Sequence, residues 1–132
     1  MTGSFSDYWE NYVLDLTVGK SPSATRYIAL LTATPTDAST GSTIVEPVGG
    51  SYARKSTAAT DWNAASNGAS SNANAITFVQ ATGDWGEITH FAICGGSTGG
   101  NVLAWGSLTA SKTILNGDTA SFAAGSLIIT LD

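Results

Sequence analysis

The sequence predicts an all-β dominated fold, an antiparallel β-sandwich or partly open barrel carrying one N-terminal α-helix. Three observations lead there. Apolar residues recur at helical spacing only between Ser4 and Val18. From Arg26 onward they come instead in short runs. Gly-containing turns separate those runs, the pattern of a sandwich or barrel. A chain of 132 residues suits one domain over 1–132, with the helix at 4–18 and the β-region at 26–132.

In the helix, Phe5, Trp9, Val13 and Leu16 make one apolar face, while Glu10, Asn11 and Asp15 lie elsewhere. Ser4 suits the N-cap and Asp7 the first turn. Gly19 suits the left-handed residue after the last turn, and Pro22 prevents the helix from resuming. A helix this short is marginal alone in water, so its aromatic face is expected to dock on the sheet or on another chain. Phe5, Trp9 and Tyr12 are therefore candidate interface residues. A docked Trp9 predicts a cost of about 3–5 kcal/mol for Trp9→Ala.

The run from Tyr27 to Thr32 is apolar on both parities, as in a strand buried on two sides, and Pro35 ends it. A polar loop over 36–50 closes with Gly49-Gly50, and Tyr52 to Thr57 reads as a second strand. Residues 58–74 fit either a long loop or an irregular edge strand anchored by Trp62. Further strands are expected at Ala75–Val79, Glu87–Cys94, Val102–Leu108 and Leu127–Leu131. The stretch 95–100 is a hairpin connection. Thr113–Leu115 and Thr119–Phe122 form another expected hairpin through Asn116-Gly117, a pair that tolerates two consecutive positive φ angles.

Charge is the unusual compositional term. Only 11% of residues are charged, against about 25% in a typical soluble domain. Ser, Thr, Asn and Gly supply the remaining polarity, giving a weakly self-repelling surface suited to being covered by neighbours. Net charge is -5, and the five basic residues are scattered, which argues against nucleic-acid binding. No apolar run approaches the ~20 residues of a membrane span, so no membrane partner is expected. The opening MTGSFSDYWE lacks the pattern of a signal peptide, and the lone Cys94 points to a reducing compartment.

Reactive groups are few. His90 and Cys94, the single histidine and single cysteine, sit four apart on one predicted strand, about 13 Å from each other. That separation excludes a nucleophile–base pair. One His and one Cys make no zinc site, and the turn carboxylates Asp84, Glu87 and Asp118 lack the spacing of a calcium loop. The Gly-rich stretch 95–100 has neither the Lys nor the following helix of a phosphate loop. The reading is a protein without catalytic residues, cofactor or metal. Aromatics remain: Trp62 and Trp85 join the helix residues as candidate interface positions, able to stack on a sugar or to pack in the core.

The order of SFSDYWENYVLDLTVG (4–19), RYIALLTATPTD (26–37), GGSYARK (49–55) and the long block from AITFVQATGDWGEITHFAIC to SLIITLD (75–132) resembles a family of small virion structural proteins of tailed bacteriophages, often labelled tail fibre proteins. The resemblance implies a virion component assembled in the host cytoplasm, with no catalytic residue to transfer. With no coiled-coil heptads, no collagen-like repeat and no shaft, the chain is read first as a head decoration (cement) protein. That reading implies a trimer gripping the major capsid protein. The alternatives are a tail fibre or tail-associated protein, or a receptor (carbohydrate) binding module.

Overall fold

The computed structural model describes residues 1–131. The chain gathers into two compact units. One comprises Met1–Thr25, Thr57–Ile76 and Phe122–Asp132; the other comprises Arg26–Ser56 and Thr77–Ser121.

The larger unit is built on a four-stranded sheet. Its strands are β1 (Arg26–Leu31), β2 (Lys55–Thr57), β5 (Gly86–Cys94) and β6 (Val102–Ile114), in the order β2-β1-β5-β6. Strand β1 pairs antiparallel with β5, from Tyr27↔Cys94 to Leu31↔His90. Ile28, Ala29, Leu30 and Leu31 are all buried, so both faces of β1 are covered, as its unbroken apolar run predicts. Ala29, Leu31, Ala92 and Cys94 form a core cluster against which Ile44, Val102 and Trp105 pack.

Strand β6 runs well past the expected end at Leu108. Its register on β5 jumps from His90↔Ser107 to Ile88↔Lys112, so residues 108–111 face Thr89 alone. This wide bulge absorbs the expected strand Thr113–Leu115 into β6. No hairpin forms through Asn116-Gly117, because only Gly117 adopts a positive φ, +93°. That turn is held from within, Leu115 N–H donating to Asp118 Oδ2 at 2.9 Å, and from outside, Asn116 N–H donating to Asp84 Oδ1 at 2.9 Å and Gly117 N–H to Ala81 O at 2.7 Å. The short strands β4 (Ile76–Thr77) and β7 (Ser121–Phe122) pair with each other instead.

In the other unit the helix α1 spans Asp7–Thr17, starting later than expected. Its N-cap is Ser6, whose Oγ accepts from Trp9 N–H at 3.3 Å, and Ser4 lies outside. Gly19 takes φ +77° after the last turn, as the sequence predicts. Strands β3 (Ala69–Ser71) and β8 (Ile128–Thr130) pair antiparallel.

The segment 58–74 is a hairpin. A short 3₁₀ turn over Ala59–Asp61 leads into bridges Trp62↔Asn72 and Ser66↔Ala69. Asn67 (φ +52°) and Gly68 (φ +71°) form its two-residue tip, with Ser66 and Ala69 exchanging both backbone hydrogen bonds at 2.9 and 3.0 Å. The two consecutive positive φ angles of an Asn-Gly turn thus occur here and not at 116–117.

Across both units the architecture is the strand-rich, antiparallel one with an N-terminal helix that the sequence predicts, and its sheets stay open rather than closing into a barrel.

Candidate functional surface

The reactive side chains do not converge. Cys94 is fully buried at the end of β5, where burial pushes its thiol pKa up, against thiolate formation. His90, on the same strand, is half-buried; its Nδ1 lies 2.8 Å from Thr89 Oγ1 and its ring is tilted against Trp105. Among the described residues no group of three or more His, Cys, Asp or Glu side chains could hold a metal ion. No helix among them is long and apolar enough to cross a membrane. A groove of about 370 Å³ lined by Ala53, Arg54, Lys55, Ser56, Thr77, Phe78 and Val79 contains no carboxylate, imidazole or thiol.

The most densely bonded polar group serves the fold. Arg54 has a side chain only 3% exposed, and its guanidinium spreads five hydrogen bonds over two loops, the one that follows β1 and the one that joins β5 to β6. Nε and Nη2 grip Glu46 Oε1 and Oε2 at 2.9 Å each. Nη1 donates to Gly96 O (2.8 Å) and Gly99 O (2.9 Å), and Nη2 also to Gly41 O (2.9 Å). All donors of the fork are used, which is how a buried guanidinium is tolerated. Tyr52 completes the cluster: its hydroxyl donates to Glu46 Oε1 at 2.7 Å and accepts from Leu30 N–H at 3.0 Å. Desolvation, reinforced by Glu46, raises the Tyr52 pKa far above the ordinary phenol value. Sequence reasoning gave Arg54 no role; the loop glycines whose carbonyls it collects are separated from it by up to 45 residues.

The candidate interface aromatics divide into two groups. Trp62 is 1% exposed, its indole N–H donating to Thr57 Oγ1 at 3.0 Å. Trp85 is 4% exposed, its N–H donating to Gly50 O at 2.8 Å and its ring standing edge-on to Tyr52. Neither offers a face to a sugar or a partner. Phe5, Trp9 and Tyr12 are on the surface, with Trp9 45% exposed and its ring stacked on Tyr12 at 5.0 Å between centroids.

The helix docks by the side opposite to the one expected. Leu14 and Val18 are buried, and the two polar residues beside them make the bonds to the hairpin. Asn11 Oδ1 accepts from Gly68 N–H at 3.2 Å, and Asp15 Oδ1 accepts from Ala65 N–H at 2.8 Å. Trp9 is half-exposed in the chain by itself, so the expected cost of about 3–5 kcal/mol for Trp9→Ala applies only where another chain covers the ring.

Among the described residues, fold and site show a strand-rich protein with exposed aromatic side chains on its helix and no convergent cluster of reactive groups. A family model described as podophage GP4 fiber I protein gp80 matches residues 4–130, and the chain belongs to that family. It is accordingly a tail-fibre protein of a tailed-phage virion, with partners among the phage's structural components. The match overturns the head decoration reading, and with it the major capsid protein as the expected partner. That reading leaned on the lack of a fibrous repeat in the sequence, which does not decide whether a chain belongs to a fibre. No curated protein matches the chain significantly.

Proposed function

We propose that this chain is a non-enzymatic component of the tail fibre that works through shape and surface contact, and that it does so as a homo-oligomer, with three copies the expected number. The observation that carries the reading is the family match over residues 4–130, on a protein in which no three His, Cys, Asp or Glu side chains among the described residues gather as a metal site. The low charge of the chain supports the same reading, since neighbouring copies face little mutual repulsion.

Particles assembled without this chain test the placement of its role. They are expected to lose fibre density while their heads remain filled and sediment normally. Fibres of unchanged appearance would refute the structural role. Sedimentation equilibrium of the purified chain tests self-association: a mass above that of one chain is expected, and a monomer at high concentration would refute it.

A further inference from the structure

The side of α1 that faces solvent carries a regular stripe. Phe5, Trp9, Tyr12 and Leu16 are spaced 4-3-4, and each is between 41% and 55% exposed. A spacing of alternating three and four is the narrow seam by which one helix packs on another, narrower than the apolar face a helix lays on a sheet. Phe5 extends the seam from just before the Ser6 cap, beside a groove of about 430 Å³ that it lines with Gly3, Ser4 and Leu131. Tyr8, 75% exposed, flanks it.

The placement of charge indicates which helix fits. Written as a heptad with Trp9 and Leu16 at a and Tyr12 at d, the flanking e and g positions within the helix are Tyr8, Val13 and Asp15. Two of the three are uncharged. Asp15 is already engaged with Ala65 N–H. The other carboxylates of the helix, Asp7 and Glu10, fall at f and b, away from the seam. Two copies can therefore bring identical stripes together without setting carboxylates against each other, whereas a partner recognised through charge would need charged flanks. Identical stripes can meet around a two-fold or a three-fold axis, so the contact is compatible with closed symmetric assembly.

We propose that the Phe5–Trp9–Tyr12–Leu16 stripe is the surface through which copies of this chain associate, helix α1 against helix α1. The proposal rests on the homo-oligomer reading above and names its surface. A helix of eleven residues gives a seam smaller than the ~1,200 Å² of a standard interface, so the association is concentration-dependent.

The test is sedimentation equilibrium of the full chain carrying Trp9→Ser and Tyr12→Ser, beside the parent and an Asp7→Asn control. Both aromatics lie on the surface, so the melting temperature of the monomer is expected to stay within a few degrees of the parent's. Association should weaken by about 30-fold or more in the double variant, as for loss of aromatic anchors at an interface centre. The control should associate like the parent. As a second measurement, Tyr12→Cys should cross-link copies under mild oxidation while Glu10→Cys should not; Cys94 is buried and silent. An oligomeric parent whose association survives the double substitution would overturn the seam and leave the homo-oligomer standing. A parent that is monomeric at high concentration would overturn both.

Discussion

Each unit of this protein has a buried polar side chain that ties its loops together, and the two differ in kind. In the larger unit the post is Arg54, a charge holding Glu46 and the carbonyls of Gly41, Gly96 and Gly99. In the other it is Asn72, a neutral amide, fully buried. Its Nδ2 donates to Asn74 O and Ala123 O, both at 2.9 Å, and its Oδ1 accepts from Leu127 N–H at 2.9 Å. Its backbone joins in, donating to Leu127 O and accepting from Gly125 N–H. Both solve one problem: long irregular segments leave buried backbone groups that no strand ladder reaches. The amide matches donors and acceptors in a closed space at little electrostatic cost. The guanidinium reaches further and binds more carbonyls, but only because a carboxylate accompanies it. The more loops a post must gather, the more the chain gains from a fork of five donors.

The contrast predicts a ranking of effects. Arg54→Met should be the most damaging, because it leaves Glu46 and three loop carbonyls without their donor. Loss of one partner of a buried pair costs about 3–5 kcal/mol, readable as a shift in the urea midpoint. Arg54→Lys restores the charge without the fork and should recover only part of that loss.

Asn72→Ala comes next, at about 2–3 kcal/mol, since it strands the Leu127 N–H and the Asn74 carbonyl but no charge, Ala123 O keeping its bonds from Ser126. Equal losses at the two sites would erase the distinction drawn between them.

The smallest effect separates the posts by pH. Tyr52 keeps its proton in the folded protein to a pH well above the ~10 at which it titrates when unfolded. Above that pH the unfolded state binds fewer protons than the native one, so the Tyr52 contribution, fully present below pH ~10, declines as pH rises. Stability measured between neutral pH and pH 11 should fall at the alkaline end. Tyr52→Phe should flatten that fall while lowering stability at neutral pH by about 1 kcal/mol, the worth of its lost hydrogen bonds. An unchanged alkaline slope in this variant would remove Tyr52 from the account.

Local signals read well where local physics decides. The period-3.6 pattern gave the helix, Gly19 its end, and the apolar run of Tyr27–Leu31 a strand covered on both sides. The separation of His90 from Cys94 was also legible, because it follows from their spacing along one strand. The two Asn-Gly pairs mark the limit. Asn116-Gly117 was singled out and Asn67-Gly68 passed over, although the latter makes the tight turn. A dipeptide supplies the permission for positive φ, and the strands on either side decide whether it is used. Between Trp62 and Asn72 the flanks pair with each other; around 116–117 the preceding residues continue a strand already committed to β5.

The sequence by itself determined the class of the protein: a strand-rich chain with one N-terminal helix, low charge and widely spaced reactive groups. Those properties are additive over residues or set by neighbours a few positions away. Only the tertiary structure decided which side of the helix is covered. The aromatic stripe promised more burial, but Leu14 and Val18 are the residues buried, and beside them Asp15 and Asn11 accept from the part-buried backbone N–H groups of Ala65 and Gly68. A part-buried amide left unbonded costs stability, so the hairpin's hydrogen bonds favour this side of the helix and leave the rings at the surface.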